Sequence, residues 1–380
     1  TSLNPFSKSF GKMLFGFGLA CTTAVPLHEI FMVEEAVAKT NLRAATICRD
    51  QVALLTMKMA TSPPGSDCRL LMTAVENYLP VIEALTEQIH KTYNKNMSDA
   101  LVFRWTSWLS GGKEVFDLGL FEDELCTIFL LYGLLHYKAA HAIRLGNGSI
   151  DESVPREKQE ANMLKKAAAI FHFVATSVIP LSLILSESRP LECSVKSSEA
   201  LSILCLCHIQ EIIIQTAVSG GKSAGAIAKL YLGIVDQYRA MQTALNGLDA
   251  SYHSLHPAFK VFPRIRLEFY TGQAFRFLSK QALEESQYGE AVTFMEEAHR
   301  WLKGIRFPEI AHSTIEQAKN QVKTAIVEIL PQLATLRKDN ATIYFAIIPD
   351  ISTLPLPNGA FIPKVEDFTP IPACSKSYFD

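Results

Sequence analysis

Between residues 27 and 339 apolar side chains recur at helical spacing, and the interruptions are short and carry Gly, Pro, Ser or Asn. A chain patterned in this way buries one stripe of each helix against its neighbours, so the fold must be a mainly α array of about nine helices. Apolar residues make up 48% of the 380, enough to supply the inner faces of such an array. Lys plus Arg (36) nearly balances Asp plus Glu (38). With no global field of either sign, the balance points away from nucleic acid and from direct attachment to an anionic membrane.

Nine expected helices cover residues 29–60, 67–93, 121–145, 155–185, 197–218, 222–248, 257–286, 288–303 and 308–338, with a further short one at 103–109. Ser62-Pro-Pro-Gly-Ser66 breaks the first pair, and Gly111 to Gly119 reads as a hairpin-like stretch. Pro180 should kink the helix that it sits in. Residues 1–26, with Gly16 and Gly18 and the polar Thr22-Thr23, read as an extended N-terminal arm, and no later run approaches 18 uninterrupted apolar residues. Tyr288-Gly-Glu-Ala291 followed by Ala298 has the spacing of a tetratricopeptide helix pair, in which small residues allow close contact. Past Asn340, residues 342–348 are β-branched and aromatic, and six prolines follow. That composition predicts a strand over 342–348 and a proline-rich strap to 380, laid back along a helical body of 27–339 in a single domain.

Chemistry-bearing motifs are sparse. Gly220-Gly-Lys-Ser223 ends like a phosphate-cradling loop, but Thr216 stands where the first glycine is needed and a helix, not a strand, precedes it. A helix-to-helix turn explains the same residues. Eight cysteines occur without a CxxC unit, which fits a reducing compartment. Cys205, Cys207 and His208 lie in an apolar helical run, where residues two apart point to different faces, so they read as core and not as metal ligands. Glu122, Asp123 and Glu124 fall in the first turn of a helix, where its dipole favours carboxylates. There is no HExxH and no GxSxG, so the reading is a non-catalytic module without a cofactor.

The surface is the more informative feature. Three consecutive β-branched residues, Ile212-Ile-Ile214, cannot all face one core stripe, so one should look outward. Across the turn, Ala226 and Leu230 are four apart and share a face. Small and apolar residues side by side form a shallow groove suited to an amphipathic helix, although packing between layers of helices explains the pattern equally well.

Several stretches in order resemble the Bro-one domain family. They are Phe103-Arg-Trp105, Glu124-Leu-Cys-Thr-Ile-Phe129, Lys166-Ala-Ala-Ala-Ile-Phe171, Gln210-Glu211 with Ala228-Lys-Leu230, and Asn340 to Pro349 as Asn-x-x-Ile-Tyr-x-x-x-x-Pro. Leu354-Pro-Leu-Pro-Asn-Gly359 is particularly similar to plant members, and the whole is similar to plant and Brox-like stand-alone members. The resemblance implies an elongated, boomerang-shaped helical array with a few short strands. It also implies a cytoplasmic adaptor, recruited to endosomes and reaching membranes only through its partners. Its partner would be the C-terminal amphipathic helix of an ESCRT-III subunit of the charged multivesicular body protein family, in endosomal sorting and multivesicular body remodelling. Carried over residue by residue, the binding positions are Ile213, Ala226 and Leu230, with Lys158 as a basic neighbour. Ala226 departs from the family's larger aliphatic, and Ile227 is expected to substitute for it. Cys374 is followed by six residues, so it does not form the lipidated CaaX box of Brox-like members. A scaffold for another client, such as a small GTPase or a peptide motif, is the alternative that the family offers.

Overall fold

In the computed structural model, residues 14–31, 33–60, 66–92, 101–146, 151–181 and 189–379 are described. The breaker at 62–66, the first half of the N-terminal arm and the far end of the predicted 155–185 helix lie wholly or largely outside them. The chain forms two compact units, each assembled from separated stretches. The larger comprises Gly16–Cys205, Ala244–His256 and Val365–Asp380; the smaller comprises Thr1–Phe15, Leu206–Thr243 and Pro257–Lys364.

The larger unit begins with a non-helical arm and continues through α1 (Leu27–Ile30), α2 (Ala36–Ala60) and α3 (Arg69–Thr92). It then passes through strands β1 (Phe103–Thr106) and β2 (Val115–Leu118), followed by α4 (Phe121–Leu145) and α5 (Arg156–Phe173). Helix α4 keeps its predicted bounds. It is apolar nearly all round and buried on almost every side, and Gly146, at φ 84°, ends it in the left-handed conformation that glycine adopts without strain. Against α5 it carries a buried ion pair, Arg144 Nε to Glu160 Oε1 at 2.6 Å. After α5 the helix widens into a π turn over Val174–Val178 before α6 (Ile179–Leu181). Proline at 180 supplies no N–H to the preceding turn, which accounts for the local rewinding where a kink was expected.

The short helix expected at 103–109 is instead β1, paired antiparallel with β2 in the register Phe103↔Leu118 to Thr106↔Val115. Phe103 and Trp105 are fully buried while Arg104 faces water, the two-residue alternation of a strand. The arm extends this edge: Thr22 bridges Trp105, and Thr106 N–H donates to the Cys21 carbonyl at 2.9 Å. Trp105 is held from below, its Nε1 donating to Glu124 Oε2 at 2.5 Å, while Arg49 Nε lies 2.5 Å from Glu124 Oε1 with both side chains wholly buried. Glu124 is therefore a buried counter-ion more than a capping charge. The last residues close this unit. Cys374 N–H donates to the Pro80 carbonyl, Asn41 reaches the Ser377 carbonyl, and Tyr378 and Phe379 are buried, Phe379 edge-on to Phe31 at 5.2 Å.

Helix α7 (Val195–Ser219) starts in the larger unit and ends in the smaller. By length and composition it could cross a membrane, but 72% of its most apolar window is buried in protein, the mark of a core helix. Cys205, Cys207 and His208 lie in it with no exposure to solvent. The smaller unit continues through α8 (Ala224–Asn246), α9 (Pro257–Glu284), α10 (Tyr288–Gly304) and α11 (Ser313–Asp339). Helices α9 and α10 form the tetratricopeptide-like hairpin. Ala291 and Ala298 are fully buried, and Ser279 Oγ donates to the Ala291 carbonyl at 2.6 Å. Helix α11 starts five residues later than predicted, because residues 308–312 are non-helical, with a bend at Glu309, up to His312, whose Nδ1 accepts the Thr314 N–H and caps the helix.

The strand expected at 342–348 does not form. Asn340–Tyr344 prolongs α11 as a π turn, and Phe345 follows at φ 51°. The cause is Asn340, which is buried. Its side-chain amide pairs with both the N–H and the C=O of Ala346, closing the chain into a turn that composition alone does not disclose. Beyond it the strap is extended as predicted, apart from one turn at Ile351–Thr353.

Candidate functional site

Helices α7 and α8 meet at Ser219 to Ser223. Gly221 takes φ 66°, and Ser223 Oγ accepts the Ala226 N–H at the start of α8. The GKS residues thus make a helix-to-helix turn with Lys222 exposed. Gln210 Nε2 donates to the Leu230 carbonyl at 3.1 Å and sets the antiparallel register. Three residues on from Gln210 and three back from Leu230, Ile213 comes level with Ile227 and its neighbour Ala226.

Within that register the candidate residues differ in exposure. Ile212 and Ile214 are buried while Ile213 is half-buried, so the middle of the three isoleucines is the one that looks outward. Ala226 is exposed. Leu230 retains 8% of its surface and Ile227 only 3%, so Ile227 packs inward and does not take over the outward position of Ala226. Lys158 is exposed in the first turn of α5 and belongs to the larger unit. Of the candidate residues on the hairpin, Ile213 and Ala226 are thus accessible, beside the exposed Lys229 and the edge of Leu230.

Two features of this hairpin escape a reading of local sequence. The first is a polar network inside it. Glu211 Oε1 accepts from Arg266 Nη2 at 2.9 Å and from Tyr238 Oη at 3.3 Å, with His208 Nδ1 at 3.3 Å. Arg266 Nη1 donates to Gln321 Oε1 at 2.7 Å, and Arg266 also contacts the Tyr270 hydroxyl. These groups are buried, so α7, α8, α9 and α11 are tied by charge-assisted bonds beneath the surface that Ile213 and Ala226 present. Burial beside the Glu211 carboxylate holds the Tyr238 hydroxyl well above its ordinary pKa. The one sequence hint is Gln210-Glu211 inside an otherwise apolar run.

The second is the strap. Ala360 N–H donates to the Lys229 carbonyl at 2.7 Å, Gln210 Nε2 donates to the Ala360 carbonyl at 2.9 Å, and Ile362 N–H donates to Gln210 Oε1 at 3.2 Å. Gly233 and Gly359 let the two backbones touch, since a Cβ on either would collide with the other segment. The strap therefore crosses α8 beside Leu230 and forms one border of the candidate surface.

The elements define a mainly helical body whose C-terminal strap is clamped across the α7–α8 hairpin. The BRO1-like domain profile matches residues 39–378, and the chain belongs to that family. It is 24% identical over 233 residues to the BRO1 domain-containing protein BROX of Pongo abelii, an alignment covering 61% of this chain and 54% of BROX. The chain thus spans about half the length of that relative. Its fold is similar to that in the ALIX BRO1–CHMP4C complex, with TM-score 0.69, 17% identity, and 94% and 96% of the two chains covered. It is also similar to a structure that gives the basis for endosomal targeting by the Bro1 domain, with TM-score 0.63, 14% identity, and 93% and 92% covered. At these identities the structural likeness establishes the fold.

Proposed function

We propose that this protein is a non-catalytic adaptor whose α7–α8 hairpin binds the C-terminal amphipathic helix of an ESCRT-III subunit, and that the whole chain acts as one Bro-type module. The observation that carries the reading is the outward Ile213 level with the exposed Ala226 on a braced hairpin. The likeness to the ALIX BRO1 domain, solved with CHMP4C, supports the class of partner. An apolar helix face laid on this surface would cover Ile213, Ala226 and the edge of Leu230, and the small Ala226 leaves room for a large side chain from the partner. Endosomal recruitment would follow from the partner, as the neighbour concerned with endosomal targeting suggests.

The test is calorimetry against a panel of ESCRT-III C-terminal helices, with native protein, Leu230→Asp and Ala226→Asp. Burying an unpaired carboxylate under an apolar face costs several kcal/mol, so each variant should lose measurable binding. Ala226 is exposed, so Ala226→Asp keeps the fold and separates a binding defect from unfolding. Equal affinity of native protein and Ala226→Asp for every helix that binds would remove the hairpin as the site. Absence of binding by the whole panel would remove the partner class.

A further inference from the structure

Helix α2 buries Leu42, Ala45, Val52 and Ala53 along one side and leaves the opposite side open. On the open side stand Val37, Thr40, Ala44, Ile47, Gln51 and Leu54, alternately three and four residues apart, the spacing of the seam of a two-helix coiled coil. Val37 is 60% exposed, Ile47 62% and Leu54 68%, and Met57 adds a fourth large apolar side chain at the margin. Single apolar residues on a surface need no explanation, but a stripe along most of a 25-residue helix is a docking face.

The two borders of the stripe differ. On one, Asn41 Nδ2 donates to the Ser377 carbonyl at 2.7 Å, so the last segment of the chain closes that edge. On the other stand Arg43, exposed, and Asp50, half-buried, neither of them in an ion pair among the described residues. Their order along the helix selects the occupant. When two such stripes pack antiparallel about a two-fold axis, Val37 meets Leu54 of the second copy, Thr40 meets Gln51 and Ala44 meets Ile47, each contact occurring twice. The same register brings Arg43 against Asp50 of the second copy on the open border, again twice. A parallel pairing instead places Lys58 against Lys58 and Arg43 beside Cys48, with no opposite charges matched.

We propose that this face docks a second copy of the chain, the two α2 helices lying antiparallel with their stripes as the seam and two Arg43–Asp50 pairs fixing the register. In the seam the small Ala44 makes room for Ile47. The Gln51 amide can donate to the Thr40 hydroxyl, which still accepts while it donates to the Ala36 carbonyl at 2.8 Å. A bilayer offers Thr40 and Gln51 no such partner, so the interrupted stripe suits a helix better than lipid. A helix of 25 residues spans about 37 Å. Two of that length make a contact at the small end of specific interfaces, roughly 1,200 Å² of total buried surface, so the dimer is reversible and concentration-dependent.

Sedimentation velocity of the full chain over a concentration series should show a reversible monomer–dimer equilibrium. Ile47→Lys should weaken it by about tenfold. Ile47 is exposed, so that variant keeps the fold, which an unchanged melting temperature checks. Arg43→Glu and Asp50→Lys should each self-associate about tenfold more weakly than native protein, since each sets like charges opposite one another. An equimolar mixture of these two variants should recover native-like association, because every charge on one chain then faces its opposite on the other. A role of either residue in folding alone would give no such recovery. The proposal is overturned if the chain stays monomeric throughout the series, if Ile47→Lys dimerises as native, or if the mixture associates no better than either variant alone. Co-sedimentation of a monomeric chain with phosphatidylcholine–phosphatidylserine vesicles, abolished by Ile47→Lys, would assign the face to a bilayer and overturn it too.

Discussion

Gln210 offers the sharpest measure of how firmly the strap is held. Its side chain is fully buried and makes three bonds, to the Leu230 carbonyl (3.1 Å), to the Ala360 carbonyl (2.9 Å) and from Ile362 N–H (3.2 Å). In Gln210→Met the volume is nearly conserved and all three are lost. The two bonds to the strap contribute about 1 kcal/mol each, so the free energy of local strap opening should fall by about 2 kcal/mol. That corresponds to exchange of the Ile362 amide about 30-fold faster. Helix α8 is not loosened, because Ala360 N–H still reaches the Lys229 carbonyl and the Leu230 carbonyl retains its helical partner. Hydrogen exchange read by mass spectrometry or NMR should therefore show acceleration at residues 360–362 and none at Ile234 in the middle of α8. Unchanged exchange at Ile362, or equal acceleration throughout α8, would refute the clamp.

Three further outcomes follow from the buried polar groups and the close backbone contacts. Burial raises the Glu192 carboxyl to about 7 from its ordinary 4.5, against Ser107 Oγ at 2.6 Å and Trp108 N–H at 3.1 Å. Because the folded value is the higher one, its contribution to stability is full below pH 4.5 and is lost as pH rises through about 7. Urea melts of native protein and Glu192→Gln should thus diverge by about 3 kcal/mol between those limits, and parallel pH profiles would refute the assignment. Arg49→Met leaves Glu124 buried without its counter-ion and should cost about 3–5 kcal/mol in the same assay. Arg49→Met with Glu124→Gln should recover most of that loss, because glutamine still accepts the Trp105 N–H. Gly233→Val places a side chain where the Ala360 carbonyl lies, so the melting temperature should fall and strap amides should exchange as in Gln210→Met.

The helices were legible because each displays its buried stripe in sequence. Helix α4 appears at its predicted bounds, and α10 differs by one residue at its end. Strand β1 was not, since four residues give too few repeats to separate a period of two from one of 3.6. At 342–348 the β-branched composition was read correctly, yet one buried asparagine decided the backbone. Of the candidate surface, the outward turn of one isoleucine in Ile212-Ile-Ile214 could be argued from helix geometry alone. The inward packing of Ile227 could not, nor could the roles of Gln210 and Glu211, because their partners Ala360, Ile362 and Arg266 are distant in the chain.

The interleaving of the two units has a consequence for biosynthesis. The larger unit needs Tyr378 and Phe379 in its core, and Phe31, against which Phe379 packs, leaves the ribosome long before them. Throughout translation of the smaller unit, the nascent larger one stands open at the place those two rings will fill. A ribosome stalled before residue 365 would display the apolar side chains that residues 374–379 otherwise cover, a surface open to chaperones and quality-control proteases.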